Sequence, residues 1–349
     1  MNRALLYCAG GGLGDSLVAS IVGRALHQRF ERVDALTLPG HRDTLERVPD
    51  LDEVLVDDGG DERALAAHLA ARAYAACVVT WATPRTARIP QLAKIPVRVG
   101  QARRLYSHRF TNRVVVRSEL GNVTSHWSDI LLDYARAIGC DTTDRAYRFI
   151  PTDVDRRDAE AVARSAGIAS NGSPKDFILL NPCNAIASRR GRWPADGWAA
   201  LARALAHRFA APILISGGPG DVSIVETVLR TARSAQSPQP DGEPRITSIA
   251  GKLGIGAFGA LAARARAFVG ITTGSMHVAA AVGCPTVGIF PFQSDFPERW
   301  APLGPRTAIV RPSYSCHPGD TKENCPDYAC IAHLDIGRIL AAADVLAVP

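Results

Sequence analysis

The stretch "RALLYCAGGGLGDSLVASIVGRALHQRF", residues 3–30, decides the fold class. Residues 3–9 form a short apolar run that ends at glycines, which is typical of a buried strand. Residues 16–30 repeat apolar side chains at the spacing of an amphipathic helix. A glycine-rich turn that carries the carboxylate of Asp15 joins the two segments. A strand, a tight turn and a helix in succession predict an α/β fold.

The same alternation of short apolar runs and amphipathic stretches continues to residue 290 and predicts parallel sheets. The later predicted strands are 32–38, 53–58, 76–82, 177–182, 212–218, 246–251, 267–273 and 285–290. The later predicted helices are 62–74, 124–139, 196–209, 221–235, 257–267 and 275–283.

A polar stretch, residues 150–176, interrupts this alternation and contains the turn-forming run "ASNGSP". We therefore expect two Rossmann-like domains, 1–170 and 171–349, that face a cleft. Ligands of such domains bind at the carboxyl ends of the strands.

Composition narrows the possible partners. The chain has 47% hydrophobic residues and a formal net charge of +6, carried mainly by arginine. Arginine suits bidentate contacts to phosphate and carboxylate, so an anionic partner is expected. Nucleic acid is not, because no run of basic residues and no recognition motif is present. The sequence has no apolar stretch of about eighteen residues and no signal-peptide pattern, and most of its cysteines lie in apolar runs, which together predict a cytoplasmic protein.

The glycine-rich turn is the first candidate site. Glycines between a strand and a helix let the backbone approach an anion, and Gly12, Gly14 and Ser16 would form that loop. The spacing differs from the G-x-G-x-x-G pattern of dinucleotide-binding folds. Asp15 either caps the helix predicted from Ser16 or presents its carboxylate for catalysis, and we favour catalysis.

Three later stretches are candidate anion or nucleotide sites, because each follows a predicted strand. In residues 270–290 a turn runs into a helix whose first N–H groups would meet an anion. In residues 179–205 a loop carries several arginines, which form either a phosphate clamp or a solvated face. In residues 214–222 a carboxylate would bind ribose hydroxyls or cap a helix. The side chains concerned are Thr272, Thr273, Gly274, His277, Ser188, Arg190, Arg192 and Asp221.

In this order, these stretches resemble glycosyltransferase family 9, the ADP-heptose:lipopolysaccharide heptosyltransferases. The residues that carry the resemblance are "GDSLVASIVGRAL", "VPDLDEVLVDD", "NPCNAIASRRGRWPADGWAALARAL", "AGKLGIGAFGALAARARAFVGITTGSMHVAAAVGCPTVGIF" and "CHPGDTKENCPDYACIAHLDIGRIL". The resemblance covers nearly the whole chain and implies a GT-B type glycosyltransferase that inverts the anomeric carbon.

The resemblance also implies roles for single residues. Asp15 matches the general base, and Thr273, Gly274 and His277 match the phosphate-binding turn. Asp221 matches the ribose-binding carboxylate, and Leu253 matches the contact to the base.

The implied donor is a nucleotide sugar, ADP-heptose first, bound mainly by the C-terminal half without a cofactor. The implied acceptor is an anionic glycan or glycolipid of the lipopolysaccharide core or another cell-surface glycan, bound by the N-terminal half. Peripheral contact with the inner membrane would follow from a lipid-linked acceptor. Four arginines of the N-terminal half are candidates to meet this acceptor: Arg85, Arg88, Arg103 and Arg104.

Two positions depart from the family pattern. Thr272 stands where the family has the aspartate of D-T-G, and Gly191 stands where it has the lysine of S-K-R-W. The alternatives are therefore a transferase that uses another nucleotide sugar, or a member that has lost transfer and acts as a scaffold. A nucleotide-sugar epimerase is disfavoured, because Asp15 and His277 supply too few acid–base groups.

The tail cysteines Cys316, Cys325 and Cys330 are a weak candidate metal cluster. Their C-x8-C-x4-C spacing lacks the C-x-x-C pairs of zinc sites. We expect thiols without a metal.

Overall fold

The structure is a computed structural model that describes residues 2–168, 177–183, 193–234, 245–292, 296–315, 317, 319 and 325–347. The chain forms two compact units, residues 1–150 and 151–349. Across the described ranges, no helix is long and apolar enough to cross a membrane.

Within the described residues, the first unit contains one parallel sheet of six strands in the order β3-β2-β1-β4-β5-β6. In register, Ala4 of β1 lies between Val33 of β2 and Ala76 of β4. The strands are β1 Arg3–Tyr7, β2 Arg32–Thr37, β3 Glu53–Val56, β4 Ala76–Val79, β5 Val97–Gln101 and β6 Asn112–Val114. The helices are α1 Leu13–Leu26, α2 Arg42–Leu45, α3 Glu62–Ala71, α4 Pro84–Leu92 and α5 Trp127–Arg136, with 3-10 turns at Pro39–His41, Leu105–Arg109 and Arg117–Leu120.

In the described part of the second unit, six strands form a parallel sheet in the order β12-β11-β10-β7-β8-β9. The strands are β7 Ile178–Asn181, β8 Ile213–Ile215, β9 Ile246–Ser248, β10 Ala267–Ile271, β11 Thr286–Ile289 and β12 Thr307–Val310. The helices are α6 Asp153–Ser165, α7 Ala195–Phe209, α8 Val222–Ser234, α9 Ile255–Arg264, α10 Gly274–Ala281, α11 Pro297–Trp300, α12 Ala329–Ala332 and α13 Ile336–Ala347, with a 3-10 turn at Pro219–Asp221.

In both sheets the order of the strands changes direction beside the first strand. In the first sheet β2 and β3 extend to one side of β1, while β4 to β6 extend to the other side. The second sheet repeats this order around β7. In parallel α/β sheets such a reversal opens a crevice at the carboxyl ends of the two central strands, where ligands bind. A site is therefore expected in the first unit after β1 and β4, and a second one in the second unit after β7 and β10.

The division between the two units lies at Ile150 and Pro151, before α6, whereas the sequence placed it at residue 170. The reason is packing, because α6 lies against α9 of the second unit. The small side chains Ala159 and Ala163 of α6 are buried, which allows a close approach between helices. The run "ASNGSP" that suggested the boundary lies outside the described residues.

Candidate active site

Asp15 lies in the first turn of α1, directly after the glycine-rich turn that follows β1. Gly12 is the N-cap, so the helix begins at Leu13, three residues earlier than predicted, and includes Gly14 and Ser16. The backbone N–H of Gly12 donates to Oδ2 of Asp15 at 2.6 Å. This is the reciprocal half of a capping box, and it holds the carboxylate in one orientation at the positive end of the helix.

Gly11 shapes the turn around this carboxylate. Its φ is +70°, in the left-handed region that disfavours any residue with a Cβ. A Cβ at this position would also lie 2.6 Å from Oδ2 of Asp15. The close approach of the Asp15 side chain to the backbone therefore depends on glycine here.

Asp15 lines a recess of about 230 Å³ in the first unit, part of it open to solvent. The recess lies after β1 and β4, where the order of the strands in the sheet changes direction. Its lining residues are Cys8, Gly10, Asp15, Ser16, Ala19, Thr80, Trp81, Trp127 and Leu131. Asp15 thus both caps α1 and lines this recess, so the two interpretations of this residue from the sequence are compatible.

Trp81 forms one wall of the recess. A Cβ on Gly10 would lie only 2.0 Å from Cδ1 of Trp81, so the indole rests directly on the glycine backbone. Trp81 nevertheless remains 42% exposed. The sequence assigned this residue to the interior of a strand, but β4 ends at Val79, and Trp81 lies at the carboxyl edge of the sheet.

His41 is a second residue that the sequence did not single out. It follows β2, and its Nδ1 lies 2.8 Å from Oγ of the buried Ser16, the next residue after Asp15. Partial burial lowers the pKa of His41, while the nearby charge of Asp15 acts in the opposite direction. A neutral imidazole is therefore favoured beside Asp15.

A buried ionic cluster joins Tyr7 at the end of β1, Asp57 after β3 and Arg85 of α4. Asp57 is 3% exposed; it accepts hydrogen bonds from Arg85 at 2.6 Å and from the hydroxyl of Tyr7. Burial would raise the pKa of Asp57, but the hydrogen bonds from Arg85 and Tyr7 outweigh this effect and lower it. Burial and the bond to Asp57 raise the pKa of Tyr7 well above its usual range.

Three of the arginines that were expected to contact an anionic acceptor form ion pairs within the first unit. Arg85 pairs with Asp57, Arg88 lies 3.3 Å from Glu62, and Arg104 lies 2.6 Å from Glu119. These three cations are already paired with carboxylates in the structure.

In the second unit, the turn after β10 matches its sequence prediction in form. Thr272 follows the strand, Thr273 is the N-cap, and α10 begins at Gly274. The Thr273 hydroxyl does not cap the helix; it bonds the carbonyl of Ile271 at 3.3 Å and lies 2.8 Å from Oγ of Ser275. His277 is buried, with 4% exposed, and is therefore more enclosed than a residue at the mouth of a site.

Asp221 and Leu253 lie in two adjoining loops after β8 and β9. The backbone N–H of Gly218 donates to Oδ2 of Asp221 at 2.9 Å, so Asp221 caps its own turn while remaining half-exposed. The N–H of Gly251 donates to the carbonyl of Gly217 at 2.9 Å and ties the two loops together. Both side chains are thus placed at the carboxyl edge of the second sheet.

Several predicted residues lie outside the described part of the chain: Ser188, Arg190, Gly191, Arg192 and Cys316. Of the other tail cysteines, Cys325 is half-buried and accepts the N–H of Tyr328 at 3.2 Å, and Cys330 is buried. Among the residues that the structure describes, no three His, Cys, Asp or Glu side chains gather as a metal site.

Comparison with known proteins gives the following matches. The family described as glycosyltransferase family 9 (heptosyltransferase) matches residues 62–328. No curated protein matches the sequence. The chain is similar to E. coli ADP-heptose lps heptosyltransferase II, at 19% identity over 99% of this chain and 98% of that one, with a TM-score of 0.77.

Two further solved structures are similar over nearly their whole length. One is the glycosyl transferase family 9 from Veillonella parvula DSM 2008, at 18% identity over 99% of this chain and 97% of that one, with a TM-score of 0.79. The other is E. coli heptosyltransferase WaaC with ADP, at 14% identity over 98% of this chain and 99% of that one, with a TM-score of 0.69. The predicted fold class, α/β with two Rossmann-like domains of the GT-B type, is confirmed.

Proposed function

The chain belongs to glycosyltransferase family 9, and from this we propose that it is an inverting transferase that moves heptose from ADP-heptose to a glycan of the lipopolysaccharide core or another cell-surface glycan. The observation that carries the mechanism is the position of Asp15, whose carboxylate is fixed by the N–H of Gly12 and lines the recess of the first unit. Asp15 lies before the residues that the family matches, so its role rests on this geometry and on the sequence motif.

The proposed reaction is a single displacement. An acceptor hydroxyl oxygen attacks the anomeric carbon of the donor sugar, and its proton passes to Asp15 as general base. The bond between that carbon and the diphosphate oxygen breaks, and the nucleoside diphosphate leaves with the electron pair. Because attack comes from the face opposite the leaving group, the configuration at the anomeric carbon inverts.

The second unit is proposed to bind the nucleotide sugar, and the first unit the acceptor. The N–H groups of the first turn of α10, beside Thr273, would stabilise the charge of the departing diphosphate. Asp221 would accept hydrogen bonds from the ribose hydroxyls, and Leu253 would contact the base. The loop between β8 and α8 supports this assignment, because it keeps Asp221 at the sheet edge.

A test of the base separates its catalytic role from its structural one. In Asp15→Asn the amide oxygen still accepts the Gly12 N–H, so the cap persists while the base is lost. We expect transfer to fall by about 10²- to 10⁴-fold with little change in the urea unfolding midpoint. Equal transfer by the two proteins would remove Asp15 from this role.

The donor is tested by thermal denaturation with ADP, UDP, GDP and ADP-heptose. A ligand at 100 times its Kd adds about 2.7 kcal/mol of stability. Stabilisation by the two adenine compounds alone supports ADP-heptose. Stabilisation by another base would assign a different nucleotide sugar, the alternative that Thr272 and Gly191 raise.

The proposed place of action is the cytoplasmic face of the inner membrane, where a lipid-linked acceptor would be met. Co-sedimentation with vesicles that contain the glycolipid, compared with vesicles of neutral lipid alone, tests this. Equal recovery with both would contradict it.

A further inference from the structure

The proposed mechanism gives no role to the exposed indole of Trp81. A large aromatic side chain at 42% exposure leaves apolar area in water, yet this one lies at the edge of the recess that holds Asp15. The indole lies against the backbone of Gly10, where the absence of a side chain makes room for it. Trp81 therefore forms a wall of the recess, and part of its indole surface remains accessible to a ligand.

The backbone that carries Trp81 is anchored from two elements. The hydroxyl of Thr86 in α4 donates to the Trp81 carbonyl at 2.9 Å. The hydroxyl of Tyr106 donates to the carbonyl of the next residue, Ala82, at 2.6 Å. A wall fixed in this way loses little freedom when a ligand binds, which favours affinity.

The chemistry of the side chains that line the recess favours one class of ligand. An aromatic face is electron-rich and attracts the polarised C–H groups of a pyranose ring, whose hydroxyls remain free for hydrogen bonds at the rim. The carboxylate of Asp15 disfavours a phosphate at the same place.

Resting on the proposed function, we propose that Trp81 is the stacking platform for the acceptor's sugar ring. The acceptor is then a pyranoside whose uncharged ring lies on Trp81 and whose reacting hydroxyl points to Asp15. Anionic groups of the same acceptor would lie outside the recess.

The experiment measures binding, so it does not depend on turnover. Deacylated lipopolysaccharide-core oligosaccharide is titrated into the full chain while tryptophan fluorescence and heat are recorded. The variants are Trp81→Phe, which keeps an aromatic face, and Trp81→Leu, which keeps apolar area alone. Trp300→Leu, on α11 of the second unit, is the matched control, and urea unfolding confirms that each variant folds.

We expect Trp81→Leu to weaken oligosaccharide binding about 3- to 10-fold, while Trp81→Phe and Trp300→Leu stay within about twofold of the wild type. Equal affinity of Trp81→Leu and wild type overturns the proposal, as does wild type that binds none of the oligosaccharide. A serine-containing peptide that binds with the same dependence on Trp81 also overturns it, because the ligand is then not a sugar. Loss of transfer in Asp15→Asn is a separate result, so failure of the proposed base would not be mistaken for failure of the platform.

Discussion

Replacing Gly11 by alanine tests how the turn positions Asp15. The residue has φ +70°, and a Cβ in the left-handed region costs about 1–2 kcal/mol. That Cβ would lie 2.6 Å from Oδ2 of Asp15, so the carboxylate must move and its hydrogen bond from the Gly12 N–H is lost. A hydrogen bond to a charged group contributes about 1.5–3 kcal/mol. We therefore expect the free energy of unfolding to fall by about 2.5–5 kcal/mol.

The matched control is Gly12→Ala, the same change one residue later. Gly12 has φ −93°, and a Cβ there would lie 3.6 Å from Oδ2 of Asp15, an ordinary contact. The expected loss is below about 1 kcal/mol, the cost of alanine at an N-cap. Both variants are measured by urea denaturation, and sugar transfer by Gly11→Ala should also fall, because its carboxylate is displaced. Equal stability losses in the two variants would refute the reasoning.

Three further predictions follow from the ionic cluster, the histidine and the donor turn. Asp57→Ala leaves Arg85 and the Tyr7 hydroxyl without their buried partner, so urea denaturation should show a loss of about 3–5 kcal/mol; a loss below 1 kcal/mol would argue against a buried ion pair. Because burial lowers the pKa of His41 below its unfolded value of about 6.5, the unfolded chain binds more protons, and stability is lost as the pH falls below 6.5 towards the lowered pKa of the folded state. The variant His41→Gln should show a smaller drop in the unfolding midpoint between pH 7.5 and 5.5, and an unchanged drop would contradict this. Thr273→Asp places a carboxylate at the N-cap of α10, beside the N–H groups proposed to bind the diphosphate, and should weaken ADP binding about tenfold in calorimetry, whereas the uncharged Thr273→Asn should not; equal affinities would place the diphosphate elsewhere.

The parts of the fold that the sequence predicts are those with local signals. The apolar run of β1, the glycines after it and the periodicity of α1 are contiguous, so strand, turn and helix follow from residues 3–30. Three short strands, β5, β6 and β12, were not predicted. β5 and β6 contain arginines, and β12 is an edge strand of the second sheet in which only the last of its four residues is buried.

The helix α4 was missed for a related reason. It has prolines at its first position and in its interior, Pro84 and Pro90, and proline inside a helix normally argues against one. Thr83 compensates through a side-chain cap on the N–H of Thr86 at 3.1 Å. The interior proline disfavours a helix, whereas the Thr83 cap favours one. The sequence pattern alone therefore predicts no helix here.

In the candidate site, too, some residues can be predicted from local sequence and others cannot. Asp15 could be identified because its glycines and its helix lie next to it in sequence. Trp81 lines the recess of Asp15, and His41 contacts Ser16, only because β1 lies between β2 and β4, and that strand order is a long-range property. The available signal was positional: both residues come shortly after a strand, where α/β folds place their ligands.

The capping role and the proposed catalytic role of Asp15 support each other. The hydrogen bond from the Gly12 N–H lets the backbone of the turn orient the proposed base. A sugar ring stacked on Trp81 would displace water from the recess, and electrostatic interactions strengthen where water is excluded. The hydrogen bond between the acceptor hydroxyl and Asp15 would then be strongest when the ring is in place. Acceptor stacking and proton transfer would in this way be coupled through one recess, and this coupling would account for an exposed tryptophan beside this carboxylate.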